Sequence, residues 1–434
     1  MAVVEELRTN QSAVPTSQAP PARRHESVMS TAVWVTGAGM AFIVGRDGVP
    51  VWQLARVAVI AALTVLVFWG TSRFGRVGRA ATAFIAGLFA VPVGVGIAVP
   101  HLTKVGLELI TVAGLLVLAG GIVLLITGAF GLISLARRWR WRVPMAAGLL
   151  IMVYVVAWPL GQAVAATNVP RVGLGSTTPA DHGLPYRDVE FQTPDSVTLS
   201  GWYVPSTNRA AVVLLHGAGS TRASVLDHAV VLARHGYGVL LVDARGHGRS
   251  DGRAMDFGWH GDEDVAGAVS FLAAQAEVDP ARIGAIGMSM GGEEAIGAAA
   301  TDERIRAVVA EGATTRVPAD KSWLSDEFGF RGSLQEGVDW LLYNTVDLLT
   351  EADQPIALRD AMRAAAPRPV LLIAAGDVAD EGRASRYFQT GSPDTVQLWE
   401  VPETGHTHAL ETHPDEWESR VTDFLASALV PTSP

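Results

Sequence analysis

An α/β domain on a mostly parallel sheet of about eight strands, preceded by an α-helical transmembrane bundle, is the fold that this 434-residue sequence predicts. Three observations carry it. Five apolar stretches fill the first 166 residues, continuous apolar strands alternate with amphipathic helices after residue 187, and Gly287-Met-Ser-Met-Gly291 directly follows one of those strands. Charge divides in the same way: up to residue 166 there are 13 Lys/Arg against 5 Asp/Glu, which leaves 20 against 38 for the remainder. A basic apolar part joined to an acidic polar part points to a membrane region followed by a soluble one, with no basic patch to suggest nucleic acid. The sequence has no cysteine, which excludes disulfides, thiolate zinc sites and a cysteine nucleophile.

Residues 1–28 are polar and contain Pro15, Pro20 and Pro21, so they read as a disordered tail without the apolar segment and cleavage site of a removable signal peptide. Apolar spans follow at about 30–46, 54–71, 80–98, 108–134 and 144–166. A bilayer core takes about 20 helical residues, so the region 29–166 is expected to hold about five helices. Arg56 and Glu108 fall near span ends, where they can snorkel. Gly114, Gly120, Gly121, Gly128 and Gly131 suit close helix packing, and the scarcity of charge inside the spans favours an anchor over a transporter. Arg73, Arg76 and Arg79 lie between spans two and three, and Arg137, Arg138, Arg140 and Arg142 between spans four and five. With Arg8, Arg23 and Arg24 in the tail, and only Arg46 and Lys104 in the other two loops, the basic residues assign the N-terminus to the cytoplasm. Five spans then place the soluble domain outside.

Residues 167–186 hold several Gly and Pro and read as a linker. The domain is expected over 187–428, with strands at 187–192, 197–204, 211–215, 238–242, 282–286, 306–310, 369–374 and 396–401. Helical stretches fall between them, at 223–235, 262–274, 293–300 and 414–425. Continuous Val/Leu/Ile runs between amphipathic helices predict a parallel sheet covered on both faces. The first two strands alternate polar and apolar residues, the pattern of an antiparallel edge hairpin.

Ser289 sits at the centre of the Gly-x-Ser-x-Gly turn, where flanking glycines avoid collisions that a Cβ would make with the neighbouring strand or helix. A serine nucleophile needs a base, an acid to orient the base, and donors for the oxyanion. His406, in the turn after the last strand, is the expected base; His408 is the competitor, and His413 reads as a surface residue. For the acid, the loop after residue 374 offers Asp377, Asp380 and Glu381, of which Asp380 is favoured, with Glu311 as a more distant alternative. Met290 opens the helix after the nucleophile and is expected to supply one oxyanion amide. Ala218, in the small-residue loop His216–Ser220, is the second expected donor. His216, Asp243, Arg245 and His247 read as braces of their turns, and Glu293 and Glu294 as favourable first-turn acids. No metal site is expected, since no pair of His and carboxylate shows helical ligand spacing apart from these residues.

The order of a His216-Gly loop, the segment Asp243-Ala-Arg-Gly-His-Gly-Arg-Ser-Asp-Gly252, the Gly-Met-Ser-Met-Gly turn, a carboxylate loop and Gly405-His406 resembles the α/β-hydrolase superfamily over residues 187–427. Within it the chain is similar to dienelactone-hydrolase-like and prolyl-oligopeptidase-like serine hydrolases. The resemblance implies a triad of Ser289, Asp380 and His406, an acyl-enzyme and no cofactor. At one point the sequence departs from the pattern: the acid usually follows a loop Gly by about three residues, and that offset from Gly376 is Ala379. An insert over about 314–368, with Trp323, Phe328, Phe330, Trp340, Leu341, Leu342 and Tyr343, stands where such folds carry a lid, and suits either an apolar acyl group or a packed helical pair. The expected function is membrane-anchored hydrolysis of carboxylic esters, with small or lipid-like acyl substrates. Peptidase, acyltransferase and a catalytically idle binding module are the alternatives, and no repeat precedes the domain to suggest a propeller.

Overall fold

The structure is a computed structural model, and it describes residues 21–46 and 49–429. The chain forms two compact units: the chain up to Val91 with Leu116–Leu150, and Pro92–Leu115 with Ile151 onward. Among the described residues, five helices are long and apolar enough to cross a membrane: α1 (Pro21–Val44), α2 (Pro50–Arg73), α3 (Arg76–Lys104), α4 (Leu109–Ser134) and α5 (Trp139–Thr167). The expected disorder of 1–28 lies mostly outside the described residues, but α1 already begins at Pro21, so its last eight positions are helical. Small residues let α3 and α4 approach closely. A Cβ on Gly128 would lie 2.2 Å from the Phe84 amide nitrogen, and one on Gly121 2.9 Å from that of Val91.

The second unit is organised by an eight-stranded sheet. Its strands are β1 (Arg187–Gln192), β2 (Thr198–Val204), β3 (Ala211–Leu215), β4 (Gly238–Val242), β5 (Ile283–Met288), β6 (Ile305–Glu311), β7 (Val370–Ala375) and β8 (Val396–Val401). The order across the sheet is β1-β2-β4-β3-β5-β6-β7-β8. β1 and β2 run antiparallel to their neighbours and the remaining pairs are parallel. β1 and β2 form the expected antiparallel hairpin at one edge of the sheet, and β2, between β1 and β4, is buried along almost its whole length.

Between the strands come α6 (Leu226–Arg234), α7 (Gly261–Ala273), α8 (Met290–Thr301), α9 (Leu324–Phe328), α10 (Phe330–Leu349), α11 (Leu358–Ala365), α12 (Ala379–Gln389), α13 (Ala409–Thr412) and α14 (Pro414–Ala428). Strands buried on both faces need helices on both. One apolar cluster joins the sheet to α7, α8, α11 and α12. The other joins it to α6 and α14, with Trp417 fully buried at its centre. Helices α9 and α10 lie within the insert between β6 and β7. The parallel register brings Leu215, Met288, Glu311, Ala375 and Val401 to one edge of the sheet, where open α/β sheets bind their ligands.

Candidate active site

β5 ends at Met288 and α8 starts at Met290, so Ser289 alone makes the turn. It does so at φ 53° and ψ −119°, a region that costs a side-chain-bearing residue on the order of 1–3 kcal/mol. The surroundings enforce it. A Cβ on Gly287 would lie 2.1 Å from the Gly291 carbonyl carbon, and one on Gly291 2.7 Å from the His216 carbonyl oxygen. The Ser289 amide donates to the Glu311 carbonyl at 2.7 Å, which ties the turn to the end of β6. Met290, in the first turn of α8, carries one of the amides that no helical carbonyl accepts. Ser289 is half-buried, and with Gly217, Ala218 and His406 it lines a cavity of about 860 Å³. Met290 thus adjoins the serine in the chain, and Ala218 shares its cavity.

His406 follows β8, and its Nδ1 lies 2.6 Å from Glu381 Oε1. The other oxygen, Oε2, accepts the Ala375 amide at 2.8 Å, and the Glu381 side chain is 1% exposed. Asp380, the favoured acid, does not reach the histidine: it is 72% exposed and pairs with Arg383 at 3.3 Å. Asp377 is also exposed, and its amide donates to the Thr404 carbonyl. The reason for the correction is local. These carboxylates do not share a loop, because α12 begins at Ala379 and successive helical residues turn by about 100°. Glu381, Ala384, Ser385 and Phe388 share the buried face, and Asp380 points to water. That spacing of 3, 4 and 7 residues was present in the sequence.

Glu311 is a brace. Its Oε1 accepts the Ala409 amide at 2.9 Å and its Oε2 the Trp417 indole N–H at 3.1 Å, holding the His406 loop against β6. Gly312, which the sequence did not single out, adopts φ +71°, and a Cβ there would lie 2.8 Å from His406 Cε1. His408 caps α13 and lines the first cavity; His413 caps α14 and meets Thr404 and Thr412. Among the described residues, His406 is the histidine at this edge that pairs with a buried carboxylate. That hydrogen bond raises its pKa above the usual value, against the opposing effect of burial.

The remaining polar residues hold the frame. His216 accepts the Ala244 amide through Nε2, which leaves Nδ1 to donate to the Gly217 carbonyl, and burial lowers its pKa to about 3, so it stays neutral. Asp243 accepts the amides of Arg222 and Arg249, and Arg245 bridges Asp195 and Asp264. Glu293 accepts the amides of Thr314 and Thr315, and burial pushes its pKa up to about 7. Among the described residues no group of three or more His, Asp or Glu side chains is arranged to hold a metal ion.

Comparison with known proteins agrees with this frame. Residues 206–345 match the family model "Serine aminopeptidase, S33". The chain is 38% identical over 128 residues to the thiohydrolase aneE of Aspergillus aculeatus, covering 29% of this chain and 40% of that one. It is 41% identical over 133 residues to the polyketide transferase ATR5 of Stachybotrys chlorohalonatus, covering 30% and 44%. The chain thus spans about two fifths of the length of the curated relatives it matches. Among solved structures, the Pyrococcus furiosus esterase Pf2001 is 28% identical, with a TM-score of 0.47, covering 61% of this chain and 99% of that one. The matched stretch runs from just after the end of β2 into α10 and includes the strained Ser289 between β5 and α8, so this part of the chain is similar to the serine aminopeptidase S33 family.

Proposed function

We propose that this protein is a membrane-anchored serine hydrolase that cleaves carboxylic esters through an acyl-enzyme on Ser289. The observation that carries the proposal is the 2.6 Å contact between His406 Nδ1 and buried Glu381 beside a cavity that Ser289 also lines. With Nδ1 committed to Glu381, Nε2 is the nitrogen available to the reacting groups. Nε2 takes the Ser289 hydroxyl proton as Oγ bonds to the acyl carbon, and the amides of Met290 and Ala218 receive the oxyanion. Collapse breaks the ester bond, and the proton on Nε2 passes to the leaving alcohol. Water then repeats the sequence in reverse, freeing the acid and the serine. Glu381 stays ionised throughout and stabilises the imidazolium.

In this reading residues 29–166 anchor the enzyme, 167–186 connect, and 187–428 form the catalytic domain. The basic loops support an N-terminus in the cytoplasm and the domain outside. A second acceptor in place of water would make the same machinery an acyltransferase, a reading supported by the similarity to a polyketide transferase. The test treats intact cells producing the full chain with a membrane-impermeant fluorophosphonate. Labelling that Ser289→Ala abolishes is expected; labelling only after lysis overturns the orientation, and none after lysis overturns the serine mechanism.

A further inference from the structure

Helix α10 has two apolar faces. Val338, Leu342, Tyr343 and Val346 are buried inward. Phe330, Leu334, Leu341 and Leu348, spaced 4, 7 and 7 residues apart, fall within about 40° of one another at 100° per residue, roughly 130° from the inner face. Phe330 and Leu348 are each 84% exposed and Leu334 56%. Phe328 and Trp340 are also exposed. A solvated helix face does not collect such residues at helical spacing; a continuous exposed apolar patch marks a contact surface.

What covers it follows from α5. Trp139 and Trp141 near one end, and Tyr154 and Trp158 towards the other, are exposed. Trp139 and Trp158 are separated by about 28 Å at 1.5 Å per residue, close to the hydrocarbon thickness of a bilayer, so these pairs are its two interfacial aromatic belts. Ala163 of α5 packs in one apolar cluster with Leu342, Tyr343 and Val346 of α10. Tyr154 lines a cavity of about 720 Å³ with Arg331, Leu334 and Val338, from the first half of α10. The amino-terminal half of α10 therefore shares a cavity with the Tyr154 belt, while its later residues Leu342, Tyr343 and Val346 cluster with Ala163. The same cavity reaches His406 and Glu381, with Trp323, Leu324 and Phe328 in its apolar wall.

We infer that the outer face of α10 is seated in the lipid interface of the bilayer that α5 crosses, and that the cavity beneath it takes acyl chains drawn from that bilayer. The substrate class is thus a lipid ester, presented in the membrane; this part rests on the ester-hydrolase reading above. The absence of cysteine gives a clean test. Leu334→Cys carrying an environment-sensitive fluorophore, in the full chain reconstituted in phosphatidylcholine vesicles, is expected to be quenched by brominated lipid. Asp394→Cys, on the opposite edge of the sheet, is expected not to be. In the same vesicles the double substitution Phe330→Ser and Leu348→Ser should lower kcat/KM for a long-chain ester dissolved in the bilayer at least tenfold, with a short water-soluble ester within twofold of the parent. Absence of quenching at Leu334→Cys overturns the seating, as does a fluorescence change that follows protein concentration and ignores brominated lipid, since that reports a second copy on this face. Equal loss with both esters, or loss with neither, overturns the substrate class. Should Ser289 prove unreactive, the quenching result still decides where α10 lies.

Discussion

Gly312→Ala tests whether His406 is held where the proposed chemistry needs it. The added Cβ would lie 2.8 Å from His406 Cε1, 3.0 Å from Nδ1 and 3.0 Å from Thr407 Cγ2. Carbon atoms in contact prefer about 3.5–4.0 Å, so the imidazole must retreat by at least about 0.7 Å or tilt, and its 2.6 Å bond to Glu381 cannot survive unchanged. A displacement on the order of 1 Å at a reacting group costs about 10²-fold in rate. Strain also contributes, because alanine at φ +71° is less stable than glycine by about 1–2 kcal/mol. Gly175→Ala separates the two effects: Gly175 has φ +73° and nothing within 4 Å of its would-be Cβ. Steady-state kinetics on a short soluble ester, with thermal melting of each variant, should show both melting lower by about 2–4 °C per kcal/mol and only Gly312→Ala losing about 10–10²-fold in kcat/KM. If Gly312→Ala melts lower but turns over within twofold of the parent, the imidazole is not seated against this glycine in the working enzyme and the argument fails.

Two further predictions concern charge. Glu381→Gln should reduce kcat by about 10³–10⁴-fold, the scale of losing the orienting acid of a triad, whereas Asp380→Asn, altering a solvated ion pair, should stay within about twofold; the reverse outcome would restore Asp380 as the acid. Since His406 must be neutral to accept the serine proton and its pKa is raised above 6.5, activity should climb with pH through a midpoint above 6.5, and the residual activity of Glu381→Gln should have its midpoint lower. The same raised pKa makes the contribution of His406 to stability whole below pH 6.5 and lost as pH rises through the folded value. Glu293 behaves differently: its pKa is pushed from 4.5 up to about 7. Across that window the folded protein keeps a proton that the unfolded chain has released, so this group's contribution to stability falls as pH rises. Glu293→Gln should therefore gain in melting temperature over the parent more at pH 8 than at pH 4.5; an offset that does not change with pH would refute the assignment.

The sheet was legible because its inner strands are unbroken Val/Leu/Ile runs, a pattern that only burial on both faces explains. β1 and β2 were legible as an edge hairpin from their alternation, although β2, with β1 and β4 on either side, is buried along almost its whole length. The strand-to-helix turn at Ser289 and the turn of His406 after β8 could be read from the sequence. The carboxylate could not be read from composition alone, since Asp380 and Glu381 are adjacent and only the start of α12 at Ala379 decides which of them turns inward. Gly312 was invisible for another reason. Its requirement comes from a ring that lies 94 positions later in the chain, and spacing within a segment carries no record of such a contact.

Glu311 ties together two groups that must act in concert. Its carbonyl accepts the strained Ser289 amide, while its carboxylate fastens Ala409 and Trp417 behind the His406 loop. The proposed nucleophile and base thus share one mooring at the end of a central strand, so neither can loosen by itself without pulling on β6. On the proposed mechanism, heating should leave turnover competence intact until the sheet itself gives way, and the temperature of half-activity should coincide with the melting temperature.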